Sequence, residues 1–208
     1  MIGKEKLVKQ FTLAVAGTIF AAVGIRLIVL SGSGADAIST LVLGLMQHVP
    51  FQFGTLSMLF NILVLTAIYF YDRSLIGIGS IINGFGVGFV LNLMDAAEVL
   101  QTIPASMTYP SVILGTVIFG TGTAIYLLAH AGSAAYESLM IVIQRLTKRS
   151  VKVSRILLDG SFFLTGYLLG GTIGFGTVIV LLLTGPSLEI ALNHLPRIPA
   201  FRTKAVNK

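Results

Sequence analysis

Five stretches of this chain run about 19 residues or longer with almost no charge, at residues 11–30, 53–71, 74–94, 109–129 and 160–188. An α-helix rises about 1.5 Å per residue and the hydrocarbon core of a bilayer is about 30 Å thick, so about 20 apolar residues make one crossing. A soluble chain of 208 residues has no interior large enough to hide five such segments. Only 11% of the residues are charged, against about 25% in an ordinary soluble domain. The pattern predicts an all-α, polytopic transmembrane helical bundle.

The net charge of +6 would suit a nucleic-acid partner if the charges were spread over a surface. They are not. Lys4, Lys6 and Lys9 precede the first apolar stretch. Arg145, Lys148, Arg149, Lys152 and Arg155 fall in one connection, and Arg197, Arg202, Lys204 and Lys208 follow the last stretch. Basic clusters between apolar spans are what cytoplasmic loops and tails carry, so both termini are expected in the cytoplasm and no nucleic acid is expected as a partner. The expected partners are membrane lipids and a small solute, with a homo-oligomer or a partner membrane protein left open. The first apolar stretch is too long for the core of a signal peptide and is read as a retained span. There are no cysteines, which excludes disulfides and thiolate metal sites. The three histidines, His48, His130 and His194, show no metal spacing, so neither a metal nor another cofactor is expected.

Sliding the chain over itself by 98 positions brings Gly17-Thr18 onto Gly115-Thr116, Gly24 onto Gly122, Gly34 onto Gly132, Ala37 onto Ala135 and Asn61 onto Asp159. After a one-residue gap, Gly77, Gly79 and Gly88 fall on Gly174, Gly176 and Gly185. The glycines keep one order throughout, which predicts two internal repeats, residues 1–104 and residues 105–208 with the basic tail. Each half reads as a long span, a Gly/Ser-rich break, a short helix (about 35–48 and 134–145) and two further helices (about 55–71 and 75–94, then 154–170 and 172–192). The short helices rise only about 20 Å, less than the hydrocarbon core. Six crossings plus two short broken or re-entrant helices are therefore expected, with inverted halves. The alternative is eight crossings with parallel halves.

At the second break the chain resembles the YczE/YyaS/YitT family of bacterial multi-pass membrane proteins. Gly132-Ser133-Ala134-Ala135-Tyr136-Glu137-Ser138-Leu139 is similar to that family's Leu-Gly-x-x-Pro-aromatic-Asp-x-Leu signature, with Glu137 at the acidic position. Arg155, Asp159, Gly170-Gly171 and Gly174-Phe175-Gly176 continue the likeness. The first half departs from it: Ser39 holds the acidic position, Asp36 lies three residues earlier, and both breaks lack the proline. The resemblance implies a multi-pass protein of the bacterial plasma membrane and says little about substrate.

Charges inside spans are costly, about 2.5–3.5 kcal/mol each at mid-bilayer on insertion scales, so each needs a reason. Arg26 ends the first span, where it snorkels to the interface, pairs with an acid or meets an anion. Glu137 opens the second short helix, where the positive end of the helix dipole favours a carboxylate. Arg155 and Asp159 are four apart on one helix and share a face. Asn61 is the repeat partner of Asp159, and Asp36 adjoins the first break. Arg26, Asp36, Asn61, Glu137, Arg155 and Asp159 are the candidate substrate-binding residues, because repeat-built transporters place solutes at broken helices near the midplane. Asn83 and Asn92 are expected to bond between helices. The Gly-Phe-Gly runs lack the strand and the acidic or lysine residue of a nucleotide site, and no catalytic constellation is present, so no enzyme is expected. The expected function is transport of a small anionic or zwitterionic solute from a site between the repeats. The alternatives are a non-transporting membrane regulator and the substrate-binding membrane subunit of a larger complex.

Overall fold

The computed structural model describes residues 4–198 and residue 201; Arg202, Lys204 and Lys208 of the basic tail lie outside the described residues. Eight α-helices carry the described chain, and no strand occurs among the described residues: α1 (Lys4–Leu30), α2 (Ala37–Leu45), α3 (Phe53–Asp72), α4 (Ile78–Ala96), α5 (Thr108–Leu128), α6 (Ala135–Thr147), α7 (Val151–Leu168) and α8 (Phe175–His194). Large apolar side chains such as Phe70, Leu168 and Phe175 point outward, as a helical bundle solvated by lipid requires and a soluble one avoids.

The centre of the bundle is the crossing of α1 and α5. Lipid tails are as apolar as leucine, so helices in a bilayer associate by close packing rather than by escape from water. Glycine supplies that closeness. A Cβ on Gly17 would stand 2.7 Å from the Gly122 carbonyl oxygen, and one on Gly24 would stand 2.6 Å from that of Gly115. Contacts of 17 with 122 and of 24 with 115 run in opposite directions, so α1 and α5 are antiparallel. An odd number of crossings must precede α5 for that, as α1, α3 and α4 supply when α2 does not cross. Around this pair, α4 packs on α1 and α8 on α5. Helix α3 lies against α4, α2 against α7, and α6 between α3 and α7.

Both breaks use backbone that only glycine adopts without strain. Gly34 has φ of +113° and Gly132 of +120°, in the left-handed region where a Cβ is disfavoured. Each break is held by the other half of the chain. The Gly176 amide, at the start of α8, donates to the Ser33 carbonyl at 2.9 Å. The Gly79 amide, at the start of α4, donates to the Ala131 carbonyl at 2.8 Å. Ser80 Oγ adds a bond to the Ser133 carbonyl at 2.5 Å.

Helix α2 spans nine residues, shorter than the expected 35–48. Residues 46–50 form turns instead, and Pro50 bars the chain before it from continuing as helix. The last apolar stretch divides between α7 and α8 across non-helical residues 169–174, with Gly170 at φ of +89°. Five helices are long and apolar enough to cross a membrane, namely α1, α3, α4, α5 and α8. Helix α7 holds the place of a sixth but carries Lys152, Arg155 and Asp159 along its 18 residues.

Candidate functional site

The two short helices start at the same place. Asp36 caps α2, its Oδ1 accepting from the Ser39 amide at 3.1 Å, and Glu137 lies in the first turn of α6. These first turns, residues 36–39 and 134–137, face one cavity of about 320 Å³. All eight helices contribute to its wall: Ala21 from α1, Phe53 and Asn61 from α3, Asn83 from α4, Phe119 and Tyr126 from α5, Asp159 from α7 and Leu181 from α8. A volume near 300 Å³ with a mostly apolar lining and a few polar groups is the usual form of a small-molecule site.

The polar groups are tied together on one wall. Tyr136 Oη donates to Asp159 Oδ1 at 2.6 Å, while Arg155 Nε stands 3.6 Å from Asp159 Oδ2. The i,i+4 spacing of Arg155 and Asp159 on α7 makes that pair possible. Both carboxylate oxygens of Asp159 are thus engaged. Asp36 Oδ2 and Glu137 Oε2 are different: each is out of solvent contact and takes no hydrogen bond. A buried polar atom without a partner is costly, so each of these two acids is left incompletely satisfied.

Of the six residues the sequence singled out, Asp36, Asn61, Glu137, Arg155 and Asp159 line the cavity. Arg26 does not. Its Nη1 pairs with Asp95 at 2.5 Å and its Nε donates to the Leu100 carbonyl at 3.2 Å, where α4 runs into its connection to α5. A partner acid was among the expectations for Arg26. Asn83 donates to Thr18 Oγ1 at 3.3 Å and Asn92 to Thr55 Oγ1 at 2.9 Å. Both therefore bond between helices, and Asn83 also lines the cavity. Tyr136 was not among the candidates, although it sits beside Glu137 in the family-like stretch; an aromatic hydroxyl in the first turn of a broken helix was the available signal.

A family model described as a family of unknown function, DUF6198, matches residues 8–193. An uncharacterized protein of Haemophilus influenzae is 30% identical over 192 residues, covering 91% of this chain and 84% of its own length. The uncharacterized membrane protein YczE of Bacillus subtilis is 28% identical over 194 residues, covering 91% and 88%. The uncharacterized protein YyaS of the same organism is 28% identical over 185 residues, covering 87% and 91%. No solved structure matches the chain.

Proposed function

The chain belongs to the DUF6198 family, and we propose that it moves a small solute across a bacterial plasma membrane through the cavity between its two halves. One observation carries this: the first turns of two broken helices, one from each half, meet at a single cavity with Asn61 and Asp159 on its wall. Secondary transporters built from repeats bind their solutes at such discontinuous helices.

Several contacts support reading the halves as inverted repeats. The bonds Gly176 to Ser33 and Gly79 to Ala131 join positions that the 98-residue alignment, with its one-residue gap, exchanges. The antiparallel α1–α5 crossing pairs Gly17 with Gly122 and Gly24 with Gly115, again exchanged positions. In this reading both termini and the basic connection from Arg145 to Arg155 face the cytoplasm, in keeping with the bias of Lys and Arg toward that side.

Helix α7, locked to α2 through Gly44 and Gly166, is the natural moving wall together with α2. Gly54 and Gly88 face each other across α3 and α4 with no room for a Cβ on either. Helices α7 and α8 make no comparable contact among the described residues, and Gly160 and Gly185 have nothing within 4 Å of an added Cβ. Rocking of one group of helices against another around a fixed site is how such carriers alternate access.

The sequence favoured an anionic or zwitterionic solute because Arg26 and Arg155 flank the breaks. Arg26 is paired outside the cavity, so the case for an anion loses one of its two cations and the zwitterion keeps its place. The test is solute uptake by purified protein in liposomes, across a panel of amines, amino acids and carboxylates. Saturable uptake of at least one solute, reduced at least tenfold by Asp159→Asn, is the expected result. A folded wild-type protein that moves none of them overturns the proposal.

A further inference from the structure

We infer that the cavity takes an organic cation, a solute joining a positively charged amine-type group to an apolar body, an inference that rests on reading the cavity as the solute site. The charge balance of the wall points there. Asp36, Glu137 and Asp159 are its acids, and Arg155 is its one base among the described residues. Arg155 and Tyr136 already engage Asp159. What remains is Asp36 and Glu137, from opposite halves, each with an oxygen that no protein group meets.

The N-terminal ends of α2 and α6 offset part of that negative charge. That offset is partial, and an entering anion would face the two acids. A cationic head completes the balance of charge. The rest of the wall suits an apolar body: Phe53, Phe119, Tyr126, Met140 and Leu181 line it. The Tyr126 hydroxyl is spent on the Gly132 carbonyl at 2.9 Å. Aromatic faces attract organic ammonium groups, whereas a bare inorganic cation seeks several oxygen ligands and leaves such a lining unused.

The experiment uses the full chain purified in detergent, with benzyltrimethylammonium as cationic probe and phenylacetate as an anion of similar size, each followed by titration calorimetry. The expected result is saturable binding of benzyltrimethylammonium at least tenfold tighter than that of phenylacetate. Glu137→Gln and Asp36→Asn should each weaken it about tenfold with little change in thermal stability. Should either variant fail to fold, Thr123→Cys reads the same point in this cysteine-free chain. Thr123 lines the cavity, and benzyltrimethylammonium, not phenylacetate, should protect the new thiol from alkylation. Equal or tighter binding of phenylacetate, no binding of either probe, or protection by the anion alone overturns the inference. Binding of the cation by a protein that moves no solute in liposomes would remove the transport reading and leave this one standing. Flux confined to anions would do the reverse.

Discussion

Arg26 and Glu137 show how the same residue-level rule leads to different places. A charge set in an apolar stretch has to be compensated, and both residues were conspicuous for that reason alone. Glu137 is offset locally and only in part, by the N-terminal end of the helix it opens. Arg26 finds its partner 69 residues away in Asp95, which no local pattern encodes. The Asp95 side chain is 26% exposed, so the pair is worth less than a fully enclosed one. Asp95→Ala is expected to cost about 1.5–3 kcal/mol, read as a shift of the denaturation midpoint in mixed micelles. Arg26→Met combined with Asp95→Leu should recover most of that loss, since an apolar pair needs no compensation there. Solute binding should be unchanged in the double variant. What the sequence disclosed about the site was therefore its acids, its asparagine and Arg155, all anomalies of composition. The tyrosine that holds Asp159 escaped notice because a tyrosine among apolar residues is no anomaly.

At the scale of helices, glycines divide into those that are filled against and those that are not. Gly24 and Gly122 meet backbone atoms of the facing helix, with Phe119 N at 2.5 Å from a Cβ on the first and the Gly17 carbonyl oxygen at 2.8 Å from one on the second. Substituting valine at either position should overpack the α1–α5 crossing and cost about 1–3 kcal/mol or more, seen as a lower melting temperature or lost yield. Gly160→Ala and Gly185→Ala should do the opposite, holding or raising stability by about 0.5–1 kcal/mol, because alanine is the better helix former and nothing obstructs it. The breaks give a second contrast. Gly32 has φ of +64° but open space around it, so Gly32→Ala should cost only the left-handed backbone, about 1–2 kcal/mol. Gly132→Ala should cost more, since its Cβ would also stand 2.5 Å from the Gly77 amide nitrogen. Thermal denaturation of the two variants side by side separates conformation from contact. The positions of the breaks were legible from Gly-Ser runs, whereas which helix presses on each glycine depends on pairings across the whole chain. The end of α2 was misplaced for a different reason: the run of helix-compatible residues continues to residue 48, and the turn is imposed by Pro50 beyond it.

For the whole molecule, the antiparallel α1–α5 crossing makes a prediction about sidedness. A cysteine at Ala97, in the connection between α4 and α5, should react with a membrane-impermeant thiol reagent in intact cells, and one at Thr147, at the end of α6, should not. Equal reaction at both would contradict three crossings per half. The number of helices was plain from the sequence, and hydrocarbon thickness sets the length of the five that can cross. Which helices are neighbours was less plain, since lipid-facing and helix-facing positions are both apolar and differ mainly in the size of their side chains. The crossed bonds at the breaks carry a consequence for synthesis. The Ser33 carbonyl is made early, but its donor, the Gly176 amide, belongs to α8, which leaves the ribosome well after it. Until α8 inserts, the first break waits with a polar group unsatisfied in the membrane. Maturation of the first half is thereby made to depend on completion of the second, and the two halves expressed as separate chains should be degraded singly yet rescue one another when made together.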